Sequence, residues 1–407
     1  MKNPGFLKLE LSSKGIRLSK ELTEGKDLRA AFLARAGIGG GIDIILPDDV
    51  WVNAPVRETF TKESPYLLLK DNGNFYIEKG GERVEVGVIP PPAFYEKKTS
   101  EGTPFAQVGT VHGGYLTISP IASCDFFPSY ENCKFCSANS VMGPVGKKAL
   151  SVREVVEIVN EAFEEGIAEF VQISLGYLDG EGHGIASLEP YITAIKKNFD
   201  TLLAVEAHPP DKDAWIDRTY AMGVDSIAYH LDIYNPERFA NICPGKTRHI
   251  GRDRYLDALQ YAASIFPSGT VTSNLIVGLE PLESTTEGID HLTKMEVVPL
   301  LPIFKPLDGS EYRGHKIPDT EDIAPLFAHL YNAVKVNKIN MNWSKHVSIF
   351  ITPIEGRYFT GDQAKLEVTL YNLYKSKIGG LATREIAKLR RKLKVREVEG
   401  SFDASEL

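Results

Sequence analysis

From Tyr115 onward the chain repeats one pattern: an apolar run, a loop, then a helical stretch. The strand candidates are "YLTISPI", "EFVQISLGY", "TLLAVEAHPP", "DSIAYHLDIY", "GTVTSNLIVGLEP" and "VVPLLPIFKPLDGS". Strands joined through helices run parallel, with right-handed crossovers. About six such units predict an α/β fold with a partial or closed (β/α) barrel rather than a flat doubly wound sheet. The first intervening helix is marked by a Ser151–Glu154 capping box, by Val152, Val155, Val156, Val159 and Phe163 as its apolar stripe, and by Gly166 as its stop. Ser284 and Glu287 are expected to cap a later helix.

The flanks lack this alternation. Residues 1–112 read as an accessory region, with a helix over "KDLRAAFLARA" and a β meander whose turns are Asn-Gly and Gly-Gly. The barrel is expected over 113–310. A mainly helical extension follows over 311–407, with "HVSIFITPI" as a further strand candidate.

Composition narrows the function. No apolar run approaches the ~20 residues that cross a bilayer, and "MKNPGFLKLELSSKG" lacks the apolar core of a signal peptide. A cytoplasmic protein without a membrane partner is the expectation. The net charge is −8, and the basic run "REIAKLRRKLKVRE" reads as the solvated face of a helix, so a nucleic-acid partner is not expected.

Three of the four cysteines lie in "SCDFFPSYENCKFCSAN". Cys124, Cys133 and Cys136 are separated by eight and then two residues, in the loop after the first barrel strand. So few cysteines make no disulfide framework, which turns attention to metal ligation. Three readings compete. Zinc would want four ligands, with His112 or His183 as the fourth. Three unrelated buried thiols fit poorly in so polar a loop. An iron–sulfur cluster with three cysteine ligands would leave one iron open for a substrate or cosubstrate.

A strand, a three-cysteine loop ending in "CKFC", and repeated βα units together resemble the radical S-adenosylmethionine (SAM) superfamily, in its biotin-synthase-like branch. The resemblance covers about residues 113–310. The family's usual cysteine gaps are three and then two residues; the longer first gap here marks a variant lineage. "NAPVRETFTKESPYLL" and "FYEKKTSEGTPF" resemble a radical SAM group found in nitrilase-linked gene clusters.

The resemblance implies that Cys124, Cys133 and Cys136 ligate a [4Fe-4S] cluster, with Phe135 beside it, and that SAM binds the open iron. It implies Gly176 and Tyr177 at the turn meeting the SAM amino group. His230 and Asp232 match the fourth-strand position that meets ribose or methionine. Ile276 and Gly278 match the fifth-strand pattern in "NLIVGLEP". It also implies reductive SAM cleavage, a 5′-deoxyadenosyl radical that abstracts hydrogen from a substrate, and an electron donor such as flavodoxin or ferredoxin.

Other polar residues point to a small, anionic substrate. Glu206 and His208 alternate at the end of the third strand and so face one side. Lys246, Arg248, His249 and Arg252 crowd one loop, where Lys246 and Arg248 are candidates for binding a carboxylate of SAM or substrate. We take Glu206, His208 and Lys246 as catalytic candidates. "PGKT" ends like a phosphate loop, but Ala240 stands where that loop needs glycine. Cys243 is alone in sequence and cannot supply a second cluster, which ranks sulfur insertion below simple hydrogen abstraction. A zinc-stabilised barrel that only binds ligands is the rival of another class. For an enzyme, one of the terminal regions is expected to cap the cleft.

Overall fold

The structure, a computed structural model, describes residues 3–399 except 26–27, 29–31, 34–39, 139–148, 341–345 and 362–376. The helix expected over "KDLRAAFLARA" falls mostly outside the described residues, as do parts of the C-terminal extension.

The N-terminal region builds a six-stranded sheet from β1 (Arg17–Leu18), β2 (Ile42–Leu46), β3 (Val50–Ala54), β4 (Leu67–Asp71), β5 (Asn74–Lys79) and β6 (Glu82–Val88), in the order β1-β4-β5-β6-β2-β3. The meander β4–β5–β6 is antiparallel, as the turn signals require. A helix over Pro4–Lys14 has no counterpart in the sequence reading. Asn3 caps it, its side chain accepting from the Phe6 N–H at 3.1 Å, and Pro4 stands in the first turn. It is buried almost all round, so it carries no apolar stripe to detect. Even Lys8 and Glu10 are inside. Lys8 Nζ donates to Glu355 at 2.8 Å and to the Val347 carbonyl at 2.8 Å, which ties the N-terminus to the C-terminal region.

The second sheet has seven strands, in the order β13-β12-β11-β10-β9-β8-β7. Its parallel members are β8 (Tyr115–Ile118), β9 (Phe170–Ser174), β10 (Leu203–Ala207), β11 (Ser226–Tyr229), β12 (Val271–Asn274) and β13 (Val298–Leu300). They are the six strands expected from sequence. β7 (Gly109–His112) adds an antiparallel edge. β13 and β7 are the two ends of the order, so the sheet does not close on itself; it is a curled half-barrel. In β9 and β10 burial alternates, with Val171, Ile173, Leu203, Val205 and Ala207 buried and the residues between them only half-buried. The half-buried set faces the open side of the half-barrel.

Several local expectations need correction. The Val152–Glu164 helix has the capping box, with Ser151 and Glu154 bonded reciprocally at 3.2 and 3.0 Å. Its buried stripe, however, is Val155, Ile158, Val159 and Ala162, while Val152 is exposed. Ser284 and Glu287 cap nothing: the helix starts earlier, at Leu282 behind Pro281, and Ser284 accepts from Asn235 Nδ2 instead. "HVSIFITPI" forms no strand. Its apolar Val347, Ile351 and Ile354 are buried by packing, and it is tied to the N-terminal sheet by bonds such as that from the Asn53 N–H to the Ser348 carbonyl at 2.8 Å. The cation-rich loop is helical, over Pro236–Ile242 and Pro244–His249.

The C-terminal helix Lys377–Glu399 docks at the far end of the barrel. Arg391 pairs with Asp225, and Lys388 pairs with Asp200 at 2.8 Å; both acids precede strands, at their N-terminal ends. This helix therefore does not cap the cysteine loop. The N-terminal region reaches that face instead, with Thr59 Oγ1 donating to Asp308 Oδ2 at 2.8 Å just past the sixth parallel strand.

Candidate active site

The cysteine loop leaves the C-terminal end of β8, and neighbouring elements hold it there. The Asp125 N–H donates to the Tyr177 carbonyl at 2.8 Å, past the end of β9. The Lys134 N–H donates to the Ile242 carbonyl at 3.0 Å, and the Gly245 N–H to the Glu131 carbonyl at 2.9 Å. Gly176 makes this approach possible. A Cβ there would stand 2.4 Å from the Ser123 carbonyl oxygen and 2.6 Å from Cys124 Cβ. Glycine is thus required by contact rather than by backbone angle.

The loop brings Cys124, Cys133 and Cys136 into mutual electrostatic range. Burial pushes the Cys124 thiol up and carries Cys136 up to about 12, where the neighbouring Cys133 adds to the effect. Cys133 rises well above the usual thiol range, through a thiol–thiol hydrogen bond with Cys243 and through burial. Cys243, isolated in sequence, is therefore a neighbour of the trio. Without a cation these thiols stay protonated; bound iron would favour the thiolates. Among the described residues no three His, Cys, Asp or Glu side chains converge on a point that one metal ion could fill. Three thiols supplied by one loop are the donor set of a cluster that leaves one iron open. His112 is not aimed at them: its Nε2 bonds Thr117 at 2.8 Å, and burial brings its pKa down to about 4. His183 Nδ1 lies 2.6 Å from the Pro209 carbonyl.

Beside the cysteines lies a buried ion pair. Lys246 Nζ contacts Asp232 Oδ2 and donates to the His230 carbonyl at 2.7 Å. Burial disfavours the Lys246 charge, yet Asp232 holds its pKa well above the usual range. Asp232 has φ +69°, a left-handed conformation that costs a non-glycine residue free energy and clusters at functional sites. It also extends the sheet, its N–H donating to the Asn274 carbonyl and its carbonyl accepting from the Ile276 N–H, each at 2.8 Å.

A polar row crosses the floor. Gln172 Nε2 donates to Glu206 Oε2 at 2.9 Å, and His230 Nε2 lies 3.5 Å from Glu206 Oε1. His230 Nδ1 accepts from the Asn274 N–H at 3.1 Å, which puts the imidazole proton on Nε2, facing Glu206. Burial works to raise the Glu206 pKa, but His230 and Gln172 hold it below the usual range. His208 Nδ1 pairs with the Tyr255 hydroxyl at 2.6 Å, and burial together with the Lys246 charge lowers its pKa well below the usual value.

The structure thus gathers Cys124, Cys133, Cys136, Glu206, His208, His230, Asp232 and Lys246 at one end of the half-barrel. Gly176 and Ile276 border them, and half-buried Phe135 packs against the core. Gly278 is at φ +100° and packs against Pro318. Tyr177 is buried at its turn, its ring stacked on Phe126 at 4.3 Å and edge-on to the His208 ring at 5.8 Å. One candidate points elsewhere. Arg248 is mostly exposed and pairs with Glu131, which His249 also binds at 2.7 Å. Arg252 lies over the Tyr234 ring and donates to its carbonyl at 2.9 Å. The cations crowding one sequence segment are therefore committed internally. Sequence reading passed over Gln172, although it occupies the alternate position on β9 that the strand pattern offers. Tyr255, by contrast, comes from a distant helix that only folding brings in. A cavity of about 290 Å³ at the other end of the barrel, lined by Asp43, Trp51, Tyr95 and Gly113 among others, includes none of these residues.

Residues 121–291 match the radical SAM superfamily. Bacteriochlorophyllide c C-7(1)-hydroxylase of Chlorobaculum limnaeum is 25% identical over 287 residues, covering 64% of this chain and 71% of that protein. Among solved structures, methylornithine synthase (PylB) is similar at 14% identity and a TM-score of 0.43, over 56% of this chain and 64% of that one. HydG, a maturase of the [FeFe]-hydrogenase, is similar at 18% identity and a TM-score of 0.44, over 54% of this chain and 49% of that one. The chain covers less than two thirds of either structure. It carries a radical SAM domain, the domain of an enzyme that works with a [4Fe-4S] cluster and SAM. Among the described residues no helix is long and apolar enough to cross a membrane.

Proposed function

We propose that this enzyme, of a biotin-synthase-like branch with a variant cysteine spacing, starts its reaction by abstracting hydrogen from a small anionic substrate. The observation that carries the reading is the trio Cys124, Cys133 and Cys136 at the C-terminal face of a parallel half-barrel, where barrel enzymes keep their chemistry. Cys124, Cys133 and Cys136 would hold the cluster, which when bound would supply an electron for reductive cleavage of SAM. Flavodoxin or ferredoxin is the class of donor that would reduce it.

The chain's own residues bind and orient. Glu206, kept ionised and fixed by Gln172 and His230, is an acceptor aimed into the open barrel, suited to SAM hydroxyl or amino groups. The Asp232–Lys246 pair braces the floor next to Cys133. His208, kept neutral, is oriented by Tyr255. The N-terminal segment around Thr59, bonded to Asp308 at the edge of this face, is the candidate for a cap over it.

Anaerobically reconstituted protein is expected to be brown and to release 5′-deoxyadenosine when given SAM and dithionite. Cys124→Ser, Cys133→Ser and Cys136→Ser should each lose the cluster, while Cys243→Ser should retain it. A colourless wild type binding one zinc, or full turnover after any of the first three changes, would remove the reading. Sulfur insertion fits less well: Cys243 lies against Cys133, so no cysteine remains for a second cluster elsewhere. The curated relative is named a hydroxylase, an outcome at carbon that hydrogen abstraction accommodates.

A further inference from the structure

The anionic substrate of the proposed function needs a cation, and Lys246 and Arg248, the two candidates read from sequence, are already paired. Lys305 is not. It follows Phe304, whose N–H extends the barrel sheet by donating to the Val277 carbonyl at 2.9 Å. That places Lys305 at the C-terminal end of the sixth parallel strand, on the face that carries the cysteines. The chain then turns back to the cysteine loop, where the Tyr312 N–H donates to the Lys134 carbonyl at 3.2 Å. On its other side lies the N-terminal segment, through Thr59 and Asp308.

Lys305 is half-buried, and among the described residues its ammonium has no hydrogen bond or ion pair. Glu58 is near enough to favour the charge but does not pair with it. Burial outweighs that help and brings the Lys305 pKa below the usual range. An ammonium held without a partner in a crowded place costs free energy, which a bound anion would recover. A solvated surface lysine shows neither feature.

Resting on the reading of an anionic substrate, we propose that Lys305 is the anchor for its anionic oxygens, carboxylate or phosphate, between the sixth strand and the N-terminal segment. Its place at the mouth would hold one end of the substrate while another part meets the radical.

The test labels holoenzyme lysines with limiting acetic anhydride and reads each site by mass spectrometry, with benzoate or inorganic phosphate as the added anion. Exposed Lys20 serves as the reference. Lys305 labelling should fall about tenfold at saturation, the discrimination that a charge-assisted contact of ordinary strength gives. Protection by benzoate alone assigns a carboxylate substrate; protection by phosphate alone assigns a phosphorylated one; protection by both assigns a general anion anchor. Protection by neither overturns the proposal. Lys305→Met should abolish anion-induced changes in the electron paramagnetic resonance spectrum of the SAM-loaded cluster, and their survival in that variant also overturns it. Since labelling needs no turnover, failure of SAM cleavage would sink the proposed function separately from this anchor.

Discussion

Replacing Gly176 by alanine tests whether the cysteine loop is seated as described. The added Cβ would stand 2.4 Å from the Ser123 carbonyl oxygen, against an ordinary contact of 3.4 Å or more, so about 1 Å must be found. The obstacle is backbone, not a side chain that can swing away. The loop cannot slide freely either, because the Asp125 N–H is bonded to the Tyr177 carbonyl immediately beyond the glycine. Overpacking of this kind costs about 1–3 kcal/mol. Here the strain falls on the residue next to Cys124, a proposed cluster ligand, and a ligand shell displaced by about 1 Å works poorly. The expected outcome is a fold retained by circular dichroism, with iron loading cut severalfold and SAM cleavage cut at least as much. Gly314→Ala, with open space around its Cβ, is the control and should load normally. A Gly176→Ala protein with full iron and unchanged SAM cleavage would refute the close approach of the two loops.

Asp232→Ala leaves the Lys246 ammonium buried without its carboxylate, and breaking such a pair from one side costs about 3–5 kcal/mol; urea unfolding should show the loss, and Asp232→Ala with Lys246→Met should recover much of it. Glu10 supplies an acid sensitivity. Burial would raise its pKa, but bonds from Lys14, Thr320, Tyr66 and Lys79 hold it at about 2, against 4.5 for the free group. A lowered folded pKa means that this stability is present above pH 4.5 and is lost as pH falls toward 2, about 3 kcal/mol in all. Denaturant unfolding followed from pH 6 to pH 3 should flatten by a part of that in Glu10→Gln; an unchanged slope would count against the network.

The half-barrel was legible because its signals are local. Strand runs such as "EFVQISLGY", the Ser151–Glu154 box and Gly166 each act within a few residues, and the parallel order follows from chain connectivity. The place of the cysteine loop was legible for the same reason, since its three cysteines sit close together in one segment. The Pro4–Lys14 helix was not, because it is stabilised by partners such as Glu355, Tyr66 and Thr320, far away in sequence.

The sequence by itself determined the alternation of strands and helices, the cysteine trio and the polar residues at strand ends, all of them short-range patterns. Only the tertiary structure decided which charges are already spent. Arg248 is claimed by Glu131, and Lys246 by Asp232 fourteen residues before it. Cys243 meets Cys133 across a long gap, and among the described residues Lys305 is left without a hydrogen-bond or ion-pair partner. Whether a charge is free depends on which distant groups folding brings within a few ångströms, and no local pattern records that distance.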